Sequence, residues 1–333
     1  MGMDGITLDP MEAKVFPLKI NPLKGKNYAE IVFMGDFHLG SGNFSLSQYM
    51  QYVKYVLAHP EVKVGLMGDL IEMGSLSPYG ASEEKVGSIQ LVDIVELLRP
   101  IKDRIFMLLE GNHEERFWRS VKGTDSISRS IADALRIKPF LPGPERGQLF
   151  VVESGKYKYP VYAIHGSTGS TVQRATQLGK IYANIKTSLV VHGHIHQIFK
   201  DHRTFYEVNE DEGKYFLTVQ EQHWLTTGCF VKNLGYAEKS SMGVTKIGAP
   251  IVRFYIDKHA IEVVDDPRVT YGIGSYKFKP KEIGLEDLSL IKYTERQGFG
   301  GTEVVVRKWE EEDFAVRRSK NPKRTESKPE DSQ

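Results

Sequence analysis

Five short apolar runs in this chain each end at residues with polar or metal-binding side chains, and that recurrence limits the possible fold more than any other feature. Ala29 to Met34 leads into Gly35-Asp36, Val62 to Met67 into Gly68-Asp69, and Ile105 to Leu109 toward Gly111-Asn112. Val161 to Ile164 precedes His165, and Leu189 to Val191 precedes His192-Gly193-His194. Runs this short and this rich in β-branched residues read as buried strands. Between them, Ser45 to Ala58, Glu83 to Leu98, Asp125 to Ile137 and Thr171 to Lys186 place apolar residues at spacings of three and four and are long enough for crossover helices. The alternation predicts a βαβ layout. In open α/β sheets the loops at the carboxyl ends of the strands share one edge, so the polar residues that end each run are expected to meet there.

From about Lys214 the texture changes to strand-like pieces with few helical patterns between them: Tyr215 to Val219, Trp224 to Val231, Ile251 to Ile256 and Ala260 to Val264. These are expected to form a second, largely antiparallel sheet packed on the first. The expected organisation is an N-terminal extension (1–28), a main domain (29–265), a C-terminal extension (266–306) and a charged, apolar-poor tail (307–333) expected to be mobile.

The 44 Lys and Arg nearly cancel the 43 Asp and Glu, leaving a formal charge of +1. No global field would then hold the protein on a polyanion, and any nucleic-acid contact must come from a local patch. The single cysteine, Cys229, excludes an intrachain disulfide and a Cys-based zinc site. No apolar stretch reaches the length of about 18 residues that suggests a membrane span, and the N-terminus lacks a signal-like apolar core, so a cytoplasmic protein without membrane insertion is expected.

The candidate ligands, in chain order, are Asp36 and His38 in GDFHLG, Asp69 in GDLIE, Asn112 and His113 in GNHEER, His165 in HGS, and His194 and His196 in GHIH. Asp36 and His38 are two apart, as are His194 and His196, so in an extended segment each pair would point to one side. Nitrogen and carboxylate donors without thiolate suit Mn²⁺, Fe or Zn²⁺, and there are too many for one tetrahedral ion. Two ions fit the inventory, with one Asp able to bridge them at roughly 3.5 to 4 Å.

The ordered set D-x-H, GD, GNHE, H and GHIH resembles the calcineurin-like metallophosphoesterase superfamily over about residues 29 to 196. The resemblance implies an α/β fold in which a two-sheet β-sandwich is flanked by helices, an αββα arrangement with a dinuclear metal site at the carboxyl ends of the strands. It implies one ion held by Asp36, His38, Asp69 and His196, and a second by Asp69, Asn112, His165 and His194. Asp69 would bridge them and His113 would be catalytic. Mn²⁺ is the first choice of metal, with Fe or Zn²⁺ as alternatives. A bridging water of lowered pKa would attack phosphorus in line while His113 protonates the leaving alkoxide. Glu114 either orients His113 or is an ordinary surface acid, and His192, which the family pattern does not use, is read as structural. The glycines before Asp36, Asp69, Asn112 and His194 either terminate strands or permit close backbone approach to the site.

The superfamily spans several phosphoester chemistries, so the substrate must be read from local departures. The Arg that phosphoprotein phosphatases carry soon after the second motif is missing from Gly68-Asp69-Leu70-Ile71-Glu72-Met73-Gly74. The first motif is similar to that of repair exonucleases and lipid-pathway pyrophosphatases, although Glu72 stands where the exonucleases put a second histidine. Within Glu114 to Lys122, Arg116 and Arg119 flank Phe117-Trp118, a pairing that suits phosphate and stacked bases; the alternative is an amphipathic helix start with its aromatics in the core. Arg174, Lys180, Lys186 and the tail cations Arg317, Arg318, Lys320, Lys323 and Arg324 could extend a basic track or form a solvated face. The expected partner is a phosphoester, DNA, RNA or a nucleotide, with protein partners unassigned. Phosphomonoesterase or protein phosphatase, nucleotide-sugar pyrophosphatase and a non-catalytic scaffold of the same fold are the alternatives.

Overall fold

The computed structural model describes residues 15–41, 43–72, 87–120, 126–140, 147–166, 185–232, 247–264, 293–298 and 301–306, with backbone alone at 87–88, 117–120 and the last two ranges. In chain order the elements are β1 (Val15–Ile20), β2 (Tyr28–Met34), α1 (Leu46–Ala58), β3 (Lys63–Leu66), α2 (Gly87–Leu98), β4 (Ile105–Leu108), α3 (Asn112–Ser120) and α4 (Ile127–Leu135). They continue with β5 (Gly147–Ser154), β6 (Tyr157–Ile164), β7 (Leu189–His192), β8 (Phe199–Asp211), β9 (Lys214–Thr226), β10 (Ile251–Tyr255) and β11 (Ile261–Val264). Contacts divide the chain into two units, Met1–Leu290 and Ile291–Gln333. The described part of the second is an antiparallel hairpin of β12 (Tyr293–Gly298) and β13 (Gly301–Val306).

The first unit is built on two mixed sheets. One has the order β11-β10-β2-β3-β4 and the other β1-β5-β6-β7-β9-β8. The expected βαβ layout is present in β2-α1-β3-α2-β4, whose strands are all parallel. The C-terminal strands do not form a sheet of their own, contrary to the sequence reading. β10 and β11 add antiparallel to β2, whereas β9 runs parallel to β7 in the other sheet and carries β8 on its outer edge. Separating antiparallel pieces by composition could not reveal this, because each finds its partner far away in sequence. Val15–Ile20, inside the segment read as an extension, pairs in parallel with β5. The run Trp224 to Val231 is not one strand, since β9 stops at Thr226.

One core lies between the sheets. Alternate residues supply it from both sides: Ala29, Ile31 and Phe33 of β2 with Val252 and Phe254 of β10, against Phe150 and Val152 of β5, Tyr159, Val161 and Ala163 of β6, and Leu189 and Val191 of β7. This period of two is what a strand face requires. β2 is buried on both sides, which explains its unbroken apolar run. On its outer side the Tyr55 hydroxyl of α1 donates to buried Glu30, whose carboxylate also accepts from Arg253 Nε at 3.0 Å. Leu46, Tyr49, Met50, Val53 and Val56 are the buried, helically spaced residues of α1. Ser126 caps α4 by accepting from Arg129 N, and Arg136 ends it in a left-handed conformation. Among the described residues no helix is long and apolar enough to cross a membrane. Most of the expected helix Thr171 to Lys186, with Arg174 and Lys180, lies outside the described residues, as does the tail from residue 307.

The sandwich makes a cross-sheet prediction. Phe254 and Tyr159 meet edge to face with ring centroids 5.3 Å apart. Phe254→Ala is expected to cost about 3–5 kcal/mol in urea unfolding. A double-mutant cycle with Tyr159→Leu should return a coupling of about 0.5–1.5 kcal/mol, and additive effects would deny the contact.

Candidate metal centre

The loops that follow β2, β3, β4, β6 and β7 gather on one edge, where they continue to hydrogen bond after the strands have ended. Asp36 N donates to Gly68 O at 2.9 Å, His38 N to Asp69 O at 3.0 Å and Gly193 N to Ile164 O at 3.0 Å. Asp36, His38, Asp69, His194 and His196 all have positive φ, between 46° and 65°. The expectation that the two-apart pairs are extended is therefore corrected: both members of each pair sit in the left-handed region, which disfavours side chains other than glycine. Such backbone persists where its surroundings over-determine it. Phe37, between Asp36 and His38, is fully buried against Phe230 and Tyr49, with ring centroids 5.0 and 5.2 Å away. It anchors the turn from inside.

The side chains form two clusters that share no residue, Asp36 with His38 and His196, and Asp69 with His165 and His194; a third group, His38 with Glu72 and His113, overlaps the first at His38. His196 Nε2 is 3.2 Å from Asp36 Oδ1 and 3.1 Å from His38 Nε2. Asp69 joins the clusters through a single oxygen. Its Oδ2 lies 3.3 Å from His165 Nε2 and 3.8 Å from His38 Nε2, whereas Oδ1 accepts from His113 N at 2.9 Å. The carboxylate thus ties the first turn of α3 with one oxygen and presents the other to both clusters.

The imidazoles are oriented from behind. His165 Nδ1 donates to Met67 O at 2.6 Å and His38 Nδ1 bonds Glu72 Oε2 at 2.7 Å, so both direct Nε2 inward. Glu72 also reaches His113: its backbone oxygen is 3.1 Å and its Oε1 3.4 Å from His113 Nδ1. The sequence reading registered Glu72 only as a departure from the exonuclease pattern. Its place three residues beyond Asp69 was the available signal.

Glu114 does not touch His113 in the way the sequence reading allowed. Its buried carboxylate accepts from the backbone of Asp69 (3.0 Å), Leu70 (2.6 Å), Ile71 (3.2 Å) and Gly111 (2.9 Å). It fastens the loop after β3 to the start of α3. Burial and the nearby Asp69 charge push the Glu114 carboxyl up to about 7, against backbone donors that favour the anion. The same junction settles the role of two glycines: a Cβ on Gly68 would fall 2.5 Å from Gly111 N, and one on Gly111 would fall 2.0 Å from Asp69 Oδ1. Close approach of the loops, rather than strand termination alone, requires them.

Charge and donor chemistry fit divalent cations. Burial opposes ionisation of Asp36 and Asp69, yet His196 beside the first and His165 beside the second hold both below the usual carboxylate range. Burial likewise opposes charge on the imidazoles, but the Glu72 hydrogen bond and the Asp69 charge carry His38 to about 9, and the Asp69 charge and hydrogen bond carry His165 to about 10. The cluster attracts positive charge, which divalent ions supply by displacing those protons. Asp36 Oδ1 is buried without a hydrogen bond. Asn112 aims one carboxamide atom at three acceptors, Asp69 Oδ2 (3.1 Å), His165 Nε2 (3.3 Å) and His194 Nδ1 (2.8 Å), and the other at Arg116 Nη2 (2.7 Å). A cation among those acceptors selects the oxygen as the inward atom; without one, the amide nitrogen is the better partner.

His192 is buried, its Nδ1 bonds Gly193 O at 2.7 Å, and burial lowers it to about 4, so it is a neutral structural residue as read. Arg116 is exposed, with Nε donating to Asn112 O at 3.1 Å, which puts it beside the cluster. Arg119 lies on α3, its side chain outside the described residues. The floor of the site, Asp36, Asp69 and His165, is sealed, whereas the side chains of His196 and His113 are 25% and 16% exposed. Asn112 and His194 are likewise half-buried, so among the described residues the open side of the site lies over these four side chains.

Replacing Glu114 by Gln removes charge and acceptors from the loop junction without removing a ligand. Metal affinity, measured by competition with a chromogenic chelator, is expected to fall about 10- to 100-fold, and an unchanged affinity would count against the fastening role.

No family model and no curated protein matches the chain. Among solved structures it is similar to a metallophosphoesterase from Sphaerobacter thermophilus, at 13% identity and a TM-score of 0.35, covering 76% of this chain and 91% of that one. It is similar to Zn²⁺-complexed Vps29 from Entamoeba histolytica, at 12% identity and a TM-score of 0.28, covering 71% and 97%. It is also similar to GAP50, described as the anchor in the inner membrane complex of Plasmodium, at 11% identity and a TM-score of 0.38, covering 72% and 85%. In its ordered motifs and in the two-sheet frame that gathers them, the chain is consistent with the calcineurin-like metallophosphoesterase superfamily.

Proposed function

We propose that the protein is a two-metal-dependent phosphoester hydrolase whose substrate is a phosphodiester of nucleic acid or a nucleotide. One observation carries the reaction class: two clusters of carboxylate and imidazole donors share Asp69 Oδ2 beneath a partly open rim that includes His113, His194 and His196. Asp36, His38, Asp69 and His196 would hold one ion, and Asp69, Asn112, His165 and His194 the other. When bound, the ions supply Lewis-acid polarisation of phosphoryl oxygens and activation of water.

The chain's own residues supply the rest. His113 Nδ1 is held by the Glu72 carbonyl, which leaves Nε2 to carry the proton given to the leaving oxygen. Burial and the His38 charge lower His113 from its usual value, making the protonated ring a readier donor. Glu72 links this ring to His38, so a proton donor and a metal ligand share one positioning residue. Arg116 stands on the open side, where its guanidinium can bind a non-bridging phosphate oxygen. The missing phosphatase Arg and the Arg116 to Lys122 segment support the diester over the monoester.

Chelator treatment is expected to abolish hydrolysis, with recovery on adding Mn²⁺, Fe or Zn²⁺. A panel of single- and double-stranded DNA, RNA, cyclic nucleotides, bis-p-nitrophenyl phosphate and p-nitrophenyl phosphate tests the substrate class, and turnover confined to the monoester rejects it. His113→Ala should retain metal while kcat falls by about 10²–10⁴. Equal rates in mutant and wild type would remove His113 from the reaction, whereas a metal-loaded wild type without turnover on any of these substrates would favour a binding scaffold.

A further inference from the structure

Asn112 has one carboxamide oxygen and two claimants for it. One end of the amide lies among Asp69 Oδ2, His165 Nε2 and His194 Nδ1, at 3.1, 3.3 and 2.8 Å, and the other end lies 2.7 Å from Arg116 Nη2. A guanidinium only donates, so Arg116 is satisfied when the oxygen points outward. A cation among the inward atoms needs the oxygen as well. The amide cannot serve both, and turning it inward leaves the amide nitrogen facing Arg116. Two donors then meet with no acceptor between them.

Arg116 does not simply leave. Its Nε donates to the backbone oxygen of Asn112 at 3.1 Å, a bond that is the same whichever way the amide points. The two residues stand one turn apart at the start of α3, at the spacing that brings helical side chains together. Arg116 is exposed and Asn112 half-buried, so both are reached from the open side of the site. Loading therefore converts a closed contact into a pair of tethered, unsatisfied donors beside the ions. Two N–H groups, one of them on a cation, suit an anionic oxygen.

We propose that Asn112 and Arg116 form a clamp for a phosphoryl oxygen that metal loading assembles. Asn112 turns its oxygen to the ion, Arg116 Nη2 is released, and the amide nitrogen and the guanidinium donate together to one oxygen of the phosphodiester. This rests on Asn112 holding an ion, as in the function proposed above. Before loading, Asn112 occupies the guanidinium, so a phosphoester that arrives ahead of the metal finds neither donor. Metal and substrate are thereby coupled through one amide, and Arg116 opposes metal binding by more than its charge alone.

A double-mutant cycle on metal affinity, read with Zn²⁺ and a chromogenic chelator on the full-length chain, tests the turn without turnover. Asn112→Asp supplies two oxygens, so Arg116 keeps its bond whether or not the ion is bound. The Arg116 charge repels the ion in both backgrounds. Arg116→Ala should therefore tighten Zn²⁺ binding by roughly 3- to 10-fold more in the wild-type background than in Asn112→Asp, the worth of one hydrogen bond. Titration calorimetry of the Zn²⁺-loaded protein with inorganic phosphate tests the clamp, and Arg116→Ala should weaken phosphate by about 10-fold. This second readout holds even if Asn112→Asp fails to fold. Equal effects of Arg116→Ala in the two backgrounds, or unchanged phosphate affinity, would overturn the clamp while leaving the two-metal reading in place. A wild type that retains no Zn²⁺, or an Asn112→Ala variant that binds it as tightly as wild type, would overturn the clamp together with the assignment of Asn112 as a ligand.

Discussion

The Asp69 carboxylate is the constraint around which the site is arranged. Its Oδ1 accepts from the first turn of α3 and its Oδ2 faces imidazoles from two other loops, so one buried side chain fixes the distance between a helix and a metal centre. Fully buried carboxylates are costly unless hydrogen bonded and opposed by positive charge. Both conditions are met here, with the His113 backbone N–H on one side and the imidazole nitrogens of His165 and His38 on the other. Glu114 repeats the principle a layer further out, holding Asp69 by its backbone rather than its side chain. The result is a site whose precision comes from backbone hydrogen bonds, which side-chain motion cannot readily dissipate.

Five ligands in left-handed backbone would weaken a free loop, at a cost of about 1–3 kcal/mol each. The fold can hold them because the strands feeding these loops are among the most deeply buried, and because Phe37 is locked between Phe230 and Tyr49. Backbone strain is thus offset by aromatic packing on the far side of the same turn. Function and stability pull on the same three residues, Asp36-Phe37-His38, from opposite sides.

Much of this was legible in the sequence, and the reasons are physical. Short apolar runs announced β2, β3, β4 and β7, because strands buried on both faces must be apolar throughout. Ligands placed just after those runs could be assigned to one edge, since parallel strands all end there. What could not be read was pairing between strands distant in sequence: β1 with β5, β10 with β2, and β9 with β7. Nor could Glu114 be read correctly. Its position next to His113 suggested a side-chain partner, but at the start of α3 its side chain points back across the helix end, where four N–H groups lie within reach. The left-handed ligands were invisible for a related reason, because no propensity favours aspartate and histidine there over the glycines beside them.

The two ends of the six-stranded sheet answer to different demands. At the ligand edge, β7, β9 and β8 are bound into loop pairings in which Thr226 accepts from Phe199 N and donates to Gln197 O, and Thr227 N donates to His192 O. These bonds hold the GHIH turn by its flanks. At the other end β8 and β9 continue with no third strand beside them among the described residues. A two-stranded ribbon is marginal in water by itself. These thirteen-residue strands are therefore long for what their own contacts can stabilise.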